Sequence, residues 1–95
     1  MEFDFSGVSF EWRGPSPYVF VALDSDATAL AHSAAAAASY GWGCITVTAR
    51  VGETIWSTSL MPRNGGYVLP LKLAVRQAES IQVGATVKVR LSLQV

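Results

Sequence analysis

Apolar and polar residues alternate with a period of two along most of this chain, interrupted by one alanine-rich stretch with a helical period. From Glu2 to Trp12 the alternation predicts a first strand. Phe3 and Phe5 share one parity, while Val8, Phe10 and Trp12 share the other. A phase change at Ser6-Gly7 predicts a β-bulge, since glycine marks such kinks. Arg13-Gly14-Pro15-Ser16-Pro17 ends the strand, because glycine and two prolines cannot continue a ladder. Tyr18 to Leu23 is a continuous apolar run, the pattern of a strand buried on both faces.

Asp24-Ser25-Asp26 then opens a helix, its side chains placed to accept bonds from the first free amides. Alanine propensity carries the helix to about Ser39, with Gly41 as C-cap. Ala27, Leu30, Ala31, Ala34 and Ala38 form its apolar stripe. Cys44 to Val51 and Thr54 to Met61 are two strands joined by Gly52-Glu53, a type II′ signal. That turn predicts Val51 opposite Thr54, Ala49 opposite Trp56, Val47 opposite Thr58 and Ile45 opposite Leu60. Asn64-Gly65 signals a type I′ turn and places Leu60 opposite Leu69 and Pro62 opposite Tyr67. Pro70 is expected to open a short helix through Ala78, with Leu71, Ala74, Val75 and Ala78 inward and Lys72, Arg76 and Glu79 outward. After Val83-Gly84-Ala85, Val87, Val89, Leu91 and Leu93 alternate with polar residues in a last strand. About six strands in one flat sheet would leave two long edges open. Closure into a small barrel removes them. The expected fold is mainly β: one domain over residues 1–95, a closed barrel of about six strands with one alanine-rich and one short helix.

Composition narrows the class. Hydrophobic residues make up 51% of the chain, too many for a disordered segment. The apolar runs Tyr18 to Leu23 and Ala34 to Ala38 are both far short of the ~20 residues of a membrane span. Cys44 is the single cysteine, so no intrachain disulfide or zinc knuckle can form. The acidic start lacks the basic residues of a signal peptide, and a reducing, cytoplasmic location is expected. Charge is unevenly placed. Residues 1–48 carry Glu2, Asp4, Glu11, Asp24 and Asp26 against Arg13. Residues 49–95 carry Arg50, Arg63, Lys72, Arg76, Lys88 and Arg90 against Glu53 and Glu79. Such halves either pair with each other across one fold or present a face to a polyanion. The zero net charge favours pairing.

Several segments are distinctive: Trp12 closing an aromatic-rich strand, Gly41-Trp42-Gly43, Trp56-Ser57-Thr58-Ser59-Leu60-Met61-Pro62, Gly65-Gly66-Tyr67-Val68-Leu69-Pro70-Leu71-Lys72, Val75-Arg76-Gln77-Ala78 and Gly84. Together they resemble the bacterial domain of unknown function numbered 1905, over essentially the whole chain. One departure is Ala85, where an aspartate commonly follows the glycine. The resemblance implies a double-split β-barrel, the architecture of AbrB-like transition-state regulators and MazE-type antitoxins. Those barrels are usually built from two interlocked chains. This chain is about twice such a half, so a self-closed monomer is expected. The family has no settled activity, and the resemblance implies a fold without a reaction.

No catalytic or metal constellation is evident, and neither enzyme activity nor a cofactor is expected. His32 projects opposite the alanine stripe with no partner placed near it. Cys44 has no basic neighbour to activate it. Lys72 and Arg76, four apart at the start of the short helix, form the candidate anion site. Tyr67 or Trp56 could supply an aromatic wall. The alternative is a solvated face with Arg76 paired to a carboxylate. The expected function is a non-enzymatic module that binds a small anion or an acidic protein segment. The competing class is an AbrB-like nucleic-acid binder using Arg50, Arg63, Lys88 and Arg90, although fold analogy alone does not carry function.

Overall fold

The structure is a computed structural model that describes residues 1–14, 18–40 and 43–93. The expected turn at Pro15-Ser16-Pro17 and the cap at Gly41 lie outside the described residues. Strands β4 (Cys44–Val51) and β5 (Thr54–Arg63) pair in the register their turn imposes, with Val51 facing Thr54, Ala49 facing Trp56 and Ile45 facing Leu60. Gly52 has φ 58°, and among the described non-glycine residues only Asn64 and Ser80 have positive φ. A single positive φ at the first loop position is the II′ geometry. At the next turn Asn64 (φ 51°) and Gly65 (φ 79°) are both left-handed, as type I′ requires. That turn leads into β6 (Gly66–Leu71) and sets Pro62 opposite Tyr67 and Met61 opposite Val68.

Closure comes from two long strands that change partner part-way. β1 (Glu2–Trp12) pairs with β7 (Thr86–Leu93) from Glu2 to Val8, then with β2 (Tyr18–Ala22) from Ser9 to Trp12. β5 pairs with β4 from Thr54 to Leu60, then with β6 from Met61 to Arg63. β2 joins β6, and β4 joins β7 between Val47–Leu93 and Arg50–Arg90. Six antiparallel strands therefore close on themselves within a single chain. A two-residue strand, β3 (Ser39–Tyr40), adds to β4.

The inward positions make one apolar core. Ile45, Leu60, Leu69, Leu71 and Leu91 are fully buried at its centre. Helix α1 (Ser25–Ala38) packs on β1, β3, β4 and β6. Its cap is Asp24, whose Oδ1 accepts from the Ala27 amide at 2.8 Å. Ala27, Ala31 and Ala34 are buried, so the thin stripe lets the helix lie close. Leu30, expected in that stripe, is 39% exposed.

Three expectations are corrected. First, no bulge occurs at Ser6-Gly7. The β1–β7 register runs without a skip from Glu2–Ser92 to Val8–Thr86. The odd residues from Phe3 to Ser9 stay inward, Glu11 near the strand end is exposed, and the large even residues beyond Gly7 face out. Gly7 is required by close packing instead: a Cβ there would sit 2.6 Å from the Ala22 carbonyl oxygen. Second, Pro70 does not open the helix but lies within β6, opposite Phe20. Leu23 N–H donates to the Tyr67 carbonyl at 3.1 Å, so the Tyr67 peptide groups face β2. Alternation turns those of Val68 and Pro70 toward β5. Having no N–H, Pro70 cannot extend that ladder, which stops at Met61–Val68. Third, α2 spans only Leu73–Ala78 with Lys72 as N-cap, and Ala74 and Ala78 are exposed while Val75 is buried. Thr54 Oγ1 donates to Glu79 Oε2 at 2.6 Å, tying the end of α2 to the start of β5. That bond anchors the end of α2 near the β5 stretch that β6 leaves.

Ser9 is the one buried polar residue among those described, at 1% exposure. Its hydroxyl donates to the Gln82 carbonyl (2.9 Å) and accepts from the Gly84 amide (3.1 Å). Its backbone amide donates to the Ala85 carbonyl and its carbonyl accepts from the Gly84 amide, both at 2.9 Å. Ser9 therefore clamps the turn into β7 onto β1. Ser9→Ala is expected to cost ~1–3 kcal/mol, because it removes both hydroxyl hydrogen bonds that hold the turn. Urea unfolding measures it, and a loss below ~0.5 kcal/mol would show that the clamp is dispensable.

Candidate functional site

The outward face of β1, β2, β6 and the end of β5 is apolar, which is unusual for the outside of a closed barrel. Because the odd residues of β1 and β2 fill the core, Phe10, Trp12, Tyr18 and Phe20 are left outside it. The register sets Phe10 beside Phe20, Trp12 beside Tyr18 and Phe20 beside Pro70. Val68 lies between Ala22 and Met61. The rings pack on one another, with Phe20 centroids 6.0 Å from Phe10 and 5.5 Å from Tyr18. Phe20 and Val68 are buried yet lie outside the contiguous core cluster. Trp12 (44%), Tyr18 (38%) and Met61 (37%) remain open to solvent. Gly14 lies under the Trp12 ring, where any Cβ would overlap it.

Two hollows lie side by side on this face. One, of about 320 Å³, is lined by Trp12, Tyr18, Phe20, Thr58, Met61 and Pro70. The other, of about 200 Å³, shares Trp12, Phe20 and Met61 and adds Pro62, Arg63 and Val68. Arg63 and Val68 continue into a third hollow, more polar, with Asn64, Gly66 and Tyr67. The three make one groove across the barrel wall. Arg63 is its cation: the guanidinium carbon sits 5.2 Å over the Phe10 ring and has no carboxylate partner among the described residues.

The residues expected to form an anion site are dispersed. Lys72 is exposed and precedes the helix, and Arg76 lies in the last turn of α2 rather than near its start. So short a helix offers no cationic N-terminal pocket. Arg76 is half-buried, with no carboxylate partner among the described residues. Its Nε and the Trp56 Nε1 are buried without a hydrogen-bond partner among them. Trp56 belongs to the core, and neither residue lines a described groove. Tyr67 is buried on β6, its ring centroid 5.1 Å from that of His32. His32 is accordingly not a free surface residue: its Nε2 lies 3.1 Å from the Gly65 carbonyl oxygen, docking α1 on the β5–β6 turn. Cys44 is half-buried and free. Among the described residues no cluster of side chains could hold a metal ion, and no helix is long and apolar enough to cross a membrane.

The basic residues do not converge either. Arg50, Lys88 and Arg90 share an open groove with Asp4 on the outside of β1, β7 and β4, whereas Arg63 lies on the aromatic face. Arg90 Nε bonds Asp4 at 3.0 Å, with Glu2 3.7 Å from its Nη1. The Asp4 hydrogen bond, reinforced by both carboxylate charges, raises the Arg90 pKa above its ordinary value. The acidic and basic halves pair here across the sheet, as the zero net charge suggested.

Matched against known families, residues 5–91 fit the model described as Domain of unknown function (DUF1905). The chain belongs to the DUF1905 family. No curated protein matches it. The DUF1905 barrel therefore carries its functional argument on its own surface, and the aromatic groove is the part of that surface its packing does not explain.

Proposed function

We propose that this DUF1905 chain is a non-enzymatic binding module that holds an acidic protein segment in the groove along Trp12, Phe20 and Met61. The observation that carries this reading is an apolar groove outside a closed core, ending at an arginine with no carboxylate of its own. Apolar contacts supply affinity at such a surface, and one charge fixes orientation. A small anion is less well served, because a single cation already stacked on Phe10 gives it little to grip. Nucleic acid is also less favoured: Arg90 is committed to Asp4 and Glu2, and Arg63 is remote from that cluster.

Selection of a phage-displayed peptide library on the wild type tests this. Enriched peptides should combine apolar residues with Asp or Glu. Trp12→Ala and Arg63→Glu should each weaken them ~10-fold or more, the scale of an interface anchor. Peptides indifferent to both variants would overturn the assignment. So would DNA binding that falls steeply with salt and depends on Arg50 and Lys88.

A further inference from the structure

We infer that the segment held by this groove binds as a left-handed polyproline II helix, with prolines in the two apolar hollows and a carboxylate at Arg63. This rests on the groove being the binding site. The first argument is one of exclusion. The groove lies over β2, which is paired on both sides by β1 and β6, so no strand edge is open there for an added strand. The floor is broken by the ridge of Trp12, Phe20 and Met61 that the two hollows share. The groove is therefore stepped into separate hollows, whereas an amphipathic helix needs an even trough.

The second argument is spacing. Between the hollows the lining moves from Pro70 to Val68 on β6 and from Thr58 to Pro62 on β5. Two residues along β6 is about 7 Å and four along β5 about 13 Å, so the two walls bracket a step of about 10 Å. One turn of polyproline II is about 9 Å. Successive turns of that helix therefore fall into successive hollows. Each hollow is walled by aromatic and proline rings, the surfaces that receive proline rings in such grooves.

The third argument concerns polar groups. A polyproline II backbone leaves all its carbonyls free. The Trp12 indole N–H and the Tyr18 hydroxyl border the hollows and have no hydrogen-bond partner among the described residues. Each can donate to a ligand carbonyl. Arg63, at one end only, gives the segment a direction.

The experiment uses three synthetic peptides and the intact chain. One is proline-rich with glutamates at one end. The second has each proline replaced by alanine, and the third keeps the prolines but has glutamine for glutamate. Calorimetry gives the affinity, and the Trp12 indole NMR resonance reports the site. The first peptide should bind ~10-fold tighter than either control, a difference of about 1.4 kcal/mol. Tyr18→Phe should weaken it several-fold while keeping the ring. Gly14→Ala, which displaces the Trp12 indole, should do the same without touching the core. Equal binding of the alanine peptide would overturn the polyproline conformation and leave the groove assignment standing. If no peptide moves the Trp12 resonance, including those from the library, both fall. A dimer that forms with concentration and is abolished by Trp12→Ala would place a second copy in the groove and also overturn both.

Discussion

Leu60→Ala is expected to remove ~2–5 kcal/mol of stability, the range for emptying a fully buried leucine site. Leu60 has no exposed surface and faces Ile45, itself fully buried. It also marks the residue at which β5 leaves β4 for β6. The neighbours cannot collapse into the space without loosening that exchange of partners. Domains of this size hold ~5–15 kcal/mol in total, so the variant should lie near the edge of folding. Each kcal/mol should lower the melting temperature by ~4–8 °C. Denaturant titration of both proteins provides the measure. A loss under ~1 kcal/mol would mean that the wall relaxes freely and that closure at this point is soft.

Gly7→Ala should also destabilise, by ~1–3 kcal/mol, and here the sign carries the information. Glycine in a strand is ordinarily a liability, and replacing it with alanine gains ~0.5–1 kcal/mol where there is room. At Gly7 there is none. The added methyl meets a backbone oxygen, that of Ala22, at 2.6 Å and the Val21 Cγ1 at 2.8 Å. β2 cannot retreat, being held by β1 and β6 together. A bulged β1 would have left the position open and alanine would stabilise. Equilibrium unfolding of the single variant separates the two outcomes by direction alone.

These two sites mark how far the fold was legible in the amino-acid sequence. Turn chemistry at Gly52-Glu53 and Asn64-Gly65 set both hairpin registers, because two-residue loops allow few alternatives. The alternation of Val87, Val89, Leu91 and Leu93 read correctly as a strand buried on one face. Aromatic residues misled where a strand is apolar on both faces. Phe10 and Trp12 look like core by hydrophobicity alone, and their even parity then mimics a phase change at Gly7. That error concealed the groove, whose walls are those same even-numbered residues. Pro70 misled differently: a proline before a helix pattern suits a first turn, and only the split between β5 and β6 explains one inside a strand. His32 gave no local sign of its dock on Gly65, since that contact depends on where α1 crosses the sheet.

The mutual bonds of Met1 and Leu93 have a mechanical consequence. The Met1 amino group donates to the Leu93 carbonyl at 3.1 Å, and the Leu93 amide donates to the Met1 carbonyl at 2.8 Å. Both ends of the barrel seam thus sit at the same corner, on antiparallel neighbours. Tension applied between them loads the β1–β7 bonds along their own axes, one rung after another, as a zip opens. Shear, in which all rungs resist at once, never develops. Under pulling, the barrel should open first along this seam at low force, while the groove on the opposite wall stays whole until β1 has peeled back as far as Ser9.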